Sequence, residues 1–206
     1  MVKLIYGLAK FSNQKYGFGS RPKALNKKKF LSNVKKNFNI FECADRYNKS
    51  MDYVTLLKEK NIHFKIDKIP VKKNEKNIED YFRKKIKLYN NVHDSKQIKV
   101  LYLHENALKI ISNKRVLKVL EKLKKNKIVK NFGVSIYSEN ELKFVIQNNL
   151  YNYIQMPLNL ADSYFFFKYK KQLYKKKIIA RSLALQGTLL NSITSIKFKN
   201  KIDKYM

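Results

Sequence analysis

A chain of 206 residues with 44% hydrophobic and 13% aromatic content can fill one core, which excludes a disordered tail or a fibrous repeat and argues for a single domain over 1–206. Its one cysteine, Cys43, excludes an internal disulfide framework and a cysteine-rich zinc module and fits a reducing compartment. With 46 Lys+Arg against 15 Asp+Glu the net charge is +31, which attracts polyanions, yet only five of the 46 are arginine and the lysines are dispersed along the chain.

In chain order, short apolar runs of strand character lie at Lys3 to Leu8, Ile40 to Cys43, Phe64 to Ile66, Val100 to Leu103, Phe132 to Val134, Tyr153 to Gln155 and Ile178 to Ala180. Helical spacing lies between them. Phe30, Leu31, Val34 and Phe38 share one face, as do Ile78, Phe82, Ile86 and Tyr89, then Val116, Val119, Leu120 and Leu123, then Leu142, Val145 and Ile146. Ser138 and Glu141 have the spacing of a capping box that starts the helix after the fifth strand. The aromatic run Tyr164 to Phe167 is expected to start a helix that packs on the sheet. No run is apolar for long enough to span a membrane, and the first ten residues lack the apolar stretch of a signal peptide, so a cytoplasmic protein with no membrane contact is expected.

Strands alternating with helices at roughly 30 residues per unit close as a barrel or stack as a doubly wound open sheet. The polar residues favour the barrel, an α/β fold of the (β/α)8 type. Glu42 and Tyr47 follow the second strand, Lys68 the third, His104 the fourth and Ser135 the fifth, while Gln155 ends the sixth, so several strand ends contribute to one rim. The glycine fingerprints of a dinucleotide-binding open sheet or a phosphate loop are absent.

In order and spacing these segments resemble the aldo-keto reductases over nearly the whole chain. Gly7-Leu8-Ala9-Lys10-Phe11 with Tyr16-Gly17 is similar to the family's opening, and Phe41-Glu42-Cys43-Ala44-Asp45-Arg46-Tyr47 to its F-D-T-A-x-x-Y. Lys68-Ile69-Pro70, the strand ending in His104, Gly133-Val134-Ser135, Gln155-Met156-Pro157-Leu158-Asn159 and Arg181-Ser182 with Leu185-Gln186-Gly187 resemble its later segments.

The resemblance implies hydride transfer between NADP (as NADPH) or NAD and a small aldehyde or ketone. It assigns Tyr47 as proton donor, Lys68 as the ammonium that stabilises the phenolate, Glu42 as the acid that holds the lysine, and His104 as the group that polarises the carbonyl. Ser135, Gln155 and Ser182 would contact the cofactor. A phenol titrates near ~10, so it needs such a cation to give up a proton at neutral pH.

The sequence departs from the family at Glu42, which is a methylene longer than the family's aspartate, and at Asn48 and Ile136. It also stops at Met206, short of the ~250 residues usual for this barrel, so strand eight and the loop that grips the adenosine end are expected to be missing. Leu183, Leu185, Leu189 and Leu190 would then add to apolar surface at an open barrel edge, through which the chain could self-associate. The alternative is a noncatalytic basic barrel that binds anionic polymers such as nucleic acid. If the lysines reflect composition, no specific nucleic acid is expected as a partner and such binding should be weak and salt-sensitive.

Overall fold

A computed structural model of the chain describes residues 3–11, 26–47, 50–105, 107–159 and 161–183, without the side chains of residues 10 and 27. Tyr16, Asn48, Leu185, Leu189 and Leu190 lie outside the described residues.

Seven strands form one parallel sheet: β1 (Tyr6–Gly7), β2 (Ile40–Ala44), β3 (Asn61–Ile66), β4 (Ile98–Leu103), β5 (Val129–Ser135), β6 (Tyr151–Pro157) and β7 (Lys177–Arg181). Their order in the sheet is their order in the chain. A doubly wound sheet would reverse direction partway, so this order is that of a barrel. β1 is shorter than the apolar run from Lys3 predicts; residues 3–5 are unpaired and Leu4 is exposed. No helix among the described residues is long and apolar enough to cross a membrane.

The sheet is curled. β2 and β6 are four neighbours apart, about 19 Å in a flat sheet and beyond the combined reach of two side chains, yet the Gln155 amide hydrogen-bonds to the Glu42 carboxylate. The ring centroids of His63 on β3 and Tyr153 on β6 are only 5.6 Å apart. The described strands are seven of the eight in a (β/α)8 barrel, with helices covering the outside.

The outer layer follows from the apolar spacing. α1 (Lys27–Lys29) runs into π-helical turns over Phe30–Lys35, and α2 (Met51–Val54), α3 (Glu75–His93), α4 (Leu108–Ile111), α5 (Lys114–Lys125), α6 (Glu139–Gln147) and α7 (Tyr164–Tyr169) follow. α3 starts where the Asn74 side chain accepts from the Asn77 N–H at 2.9 Å and ends at Asp94, whose φ of 59° turns the chain left-handed. Its residues Ile78, Phe82, Ile86 and Tyr89 are all buried, and Tyr89 stacks on Phe64 of β3 at 4.7 Å. The Ser138–Glu141 capping box starts α6.

Two expectations are corrected. Leu31 is exposed, since adjacent helical residues point about 100° apart and Phe30 takes the inward direction. In α7 only Phe165 and Phe166 of the aromatic run pack on the core, while Tyr164 and Phe167 face solvent.

Residues of β3 show how strand parity sorts the two faces. Ile62, Phe64 and Ile66 alternate with His63, Lys65 and Asp67, and all six are buried, as both faces of a parallel sheet should be. Phe64 meets α3, so the other set lines the barrel. On β6 the register shifts where β5 passes from Phe132 to Gly133, so that Phe132 faces Tyr151 and Gly133 faces Tyr153. The extra residue, Asn152, changes the parity. Tyr151 therefore points outward, donating its hydroxyl to the Ile111 carbonyl of α4 at 2.9 Å, and Tyr153 points inward to His63.

Candidate active site

The loop after β2 presents Tyr47 through a short series of turns. The Tyr47 N–H donates to the Ala44 carbonyl at 3.0 Å, and the N–H and hydroxyl of Ser50 both donate to the Tyr47 carbonyl, at 2.7 and 2.5 Å. His104 is one residue past β4, with its N–H continuing the ladder to the Ile66 carbonyl at 2.8 Å. The two rings meet edge to face at 6.0 Å. Tyr47 and His104, 57 positions apart in number, are thus neighbours at the C-terminal end of the strands.

A charged group lies inside the barrel, and its lysine acts on His104. Lys65 Nζ is 2.7 Å from Glu42 Oε1 and also donates to Gln155 Oε1 at 2.7 Å, while the Gln155 amide nitrogen donates to Glu42 Oε2. The Lys65 and Glu42 side chains are only 6% and 12% exposed, and Gln155 is buried. Lysine can only donate and a carboxylate can only accept, so these partners dictate which way the glutamine amide is turned.

Lys68 does not join this group. It is exposed, at a φ of 54°, between buried Asp67 and Ile69. The loop is fixed on either side: the Ile69 N–H donates to Glu105 Oε2 at 3.1 Å, and the Tyr81 hydroxyl donates to the Asp67 carbonyl. The lysine that meets Glu42 is Lys65, on the barrel-facing parity of β3. The alternation of Ile62, Phe64 and Ile66 with His63, Lys65 and Asp67 carried that information.

Burial holds the His104 imidazole down to about 3, helped by the positive charges of Lys65, Arg46 and Arg181. It is neutral at physiological pH, and its Nδ1 is buried with no hydrogen-bond partner among the described residues. His63, deeper in the barrel, is lowered to about 4 by burial and lies 3.2 Å from the Tyr102 hydroxyl through Nδ1. In the loops after β2 and β3, two acids sit close together. Asp45 pairs with Lys85 at 2.8 Å and Asp67 with Arg46 at 3.4 Å, and burial and then the neighbouring Asp45 charge raise Asp67.

The expected cofactor contacts stand at consecutive strand ends. Ser135 ends β5 and is buried, Gln155 lies opposite it in the β5–β6 register, and Ser182 follows β7 at a φ of 57°. Asn159, past β6, caps the next turn through Oδ1 while its Nδ2 is buried without a partner among the described residues. Arg181 lies over the Tyr137 ring, 3.8 Å from its centroid, and donates to the Ile136 carbonyl at 3.1 Å. The group is a set of neutral hydroxyl and amide donors beside a cationic end of β7.

No family model matches the sequence, and no curated protein matches it. Solved structures match with high overlap of fold and low identity. A glycerol dehydrogenase of Gluconobacter oxydans superposes with a TM-score of 0.68 at 15% identity, over 98% of this chain and 70% of that one. The holo form of an aldo-keto reductase of Bacillus halodurans gives 0.66 at 14% identity, over 91% and 64%. An aldo/keto reductase of Klebsiella pneumoniae, in complex with NADP and acetate, gives 0.61 at 12% identity, over 81% and 61%. The chain thus spans between 61% and 70% of the lengths of these three proteins. The seven-stranded barrel described here has the fold of the aldo-keto reductases.

Proposed function

We propose that the chain is a carbonyl reductase that uses NADPH or NADH to reduce a small aldehyde or ketone, acting in the cytoplasm. The observation that carries this reading is the buried Lys65–Glu42 pair at 2.7 Å inside the barrel, whose lysine charge acts on His104, the ring that meets Tyr47. Reduction of a carbonyl needs a proton at the oxygen as well as a hydride at the carbon, and these residues are suited to the proton half.

Tyr47 donates the proton. Lys65 stabilises the phenolate that forms, and Glu42 holds the ammonium in place. His104, neutral because burial holds it at about 3, hydrogen-bonds to the carbonyl oxygen without competing for charge. The nicotinamide supplies the hydride when bound. Its carboxamide needs neutral hydrogen-bonding groups, and the Ser135 hydroxyl, the Gln155 amide and Asn159 Nδ2, which is buried without a partner among the described residues, have that chemistry. Ser182 and Arg181, at the end of β7, would meet the rest of the dinucleotide, with Arg181 as a cation for phosphate.

Fluorescence titration of the purified protein with NADPH and with NADH tests the reading. Saturable binding that weakens in Ser135→Ala is expected. Absence of binding for both nucleotides would refute it.

A further inference from the structure

We infer that Gln155 is a positioning residue for Lys65: its amide sets where the ammonium lies, by accepting from Lys65 and donating to Glu42 at once. This inference rests on the reductase reading for its meaning in turnover, but its physical content is independent of it.

Three observations support it. The Lys65 ammonium has two oxygen partners at 2.7 Å, one on β2 and one on β6, which approach it from different sides of the barrel. A single ion pair leaves the ammonium free to swing about the carboxylate; a second acceptor at a fixed angle removes that freedom. The Gln155 amide is also bonded to Glu42, which closes a three-membered ring of charge-assisted hydrogen bonds among residues from β2, β3 and β6. All three side chains are largely removed from water, so a lost partner is not replaced by solvent.

The arrangement also bears on Glu42. Its side chain is a methylene longer than aspartate, which gives the carboxylate more torsional freedom. The bond from the Gln155 amide nitrogen to Oε2 restrains that freedom, leaving Oε1 for Lys65. One side chain on β6 therefore orients both members of the ion pair. The two contacts use one amide hydrogen and one lone pair of Gln155, which leaves the other hydrogen and lone pair for a cofactor contact.

The test is amine acylation by acetic anhydride, read lysine by lysine by mass spectrometry, in the wild type, Gln155→Leu and Gln155→Glu. Lys176, which donates to the Asn148 and Tyr151 carbonyls at 2.8 and 2.9 Å, reports on global unfolding. Expected is protection of Lys65 in the wild type, a gain of about tenfold in its labelling rate in Gln155→Leu with Lys176 unchanged, and restored protection in Gln155→Glu, which keeps the acceptor oxygen. A packing role alone would give the reverse order, because leucine fills the space and a second carboxylate disturbs it. In steady state Gln155→Leu should lower kcat, taken at saturating NADPH, about tenfold or more. Unchanged Lys65 labelling in Gln155→Leu, or loss of nucleotide affinity with kcat intact, would overturn the inference. Lack of turnover in every variant would count against the reductase reading alone, since the labelling pattern does not depend on it.

Discussion

The ring of Tyr102 occupies the space that a side chain on Gly133 would need: a Cβ there would lie 2.5 Å from Tyr102 Cε1, 2.6 Å from Cδ1 and 2.9 Å from the Tyr153 Cβ. Tyr102 cannot withdraw easily, because it is fully buried with its hydroxyl against His63. The absent side chain on β5 is thus what lets the inward rings of β4 and β6 meet, at 6.3 Å between centroids.

Gly133→Ala is therefore expected to destabilise the protein by about 1–3 kcal/mol through overpacking. Urea denaturation measures it. Adding Tyr102→Leu to the same chain should recover part of the loss, and strictly additive losses would mean that the two positions do not share this space.

The Lys65–Glu42 pair predicts a second non-additive result. Lys65→Met alone leaves a buried carboxylate without its cation and should cost about 3–5 kcal/mol, whereas Lys65→Met with Glu42→Leu should cost less than either single change. The urea midpoints of the three variants decide this. A double variant no more stable than the weaker single one would show that the pair is not held against desolvation.

The histidines predict acid sensitivity. Burial lowers His63 from 6.5 to about 4 and His104 from 6.5 to about 3. The unfolded chain then takes up protons near 6.5 that the folded chain refuses. Stability is full above that pH and falls as pH drops from about 6.5 towards 4, by on the order of 3 kcal/mol for His63. The urea midpoint of the wild type should fall between pH ~7 and pH ~5, and that of His63→Gln should fall less. Equal slopes in the two proteins would mean that His63 titrates normally in the fold.

Much of this architecture is legible in the sequence because a parallel barrel buries both faces of each strand. Runs such as Val100 to Leu103 and Phe132 to Val134 therefore stand out as apolar, and α3 and α5 bury the faces that their spacing predicts. The capping box at Ser138 is local chemistry, visible in four residues. The contact of Lys65 with Glu42 is legible as strand parity, which puts Lys65 on the barrel-facing side of β3, whereas the motif spacing around Lys68 is silent on where its side chain lies. Other features leave no local trace. The bulge at Asn152 depends on the register of β5 against β6, and the bond between Gln155 and Glu42 joins positions 113 residues apart through closure of the sheet.

The proposed carbonyl reduction rests on Lys65, held by Glu42 at 2.7 Å. Its most direct measurement is NADPH oxidation driven by a small aldehyde, with the wild type, Lys65→Met, Lys68→Met and Tyr47→Phe compared at neutral pH. Expected are turnover in the wild type, a rate within about twofold of it in Lys68→Met, and a loss of about 10²-fold or more in Lys65→Met and Tyr47→Phe. A silent wild type, full turnover in Lys65→Met, or loss of turnover in Lys68→Met would contradict it.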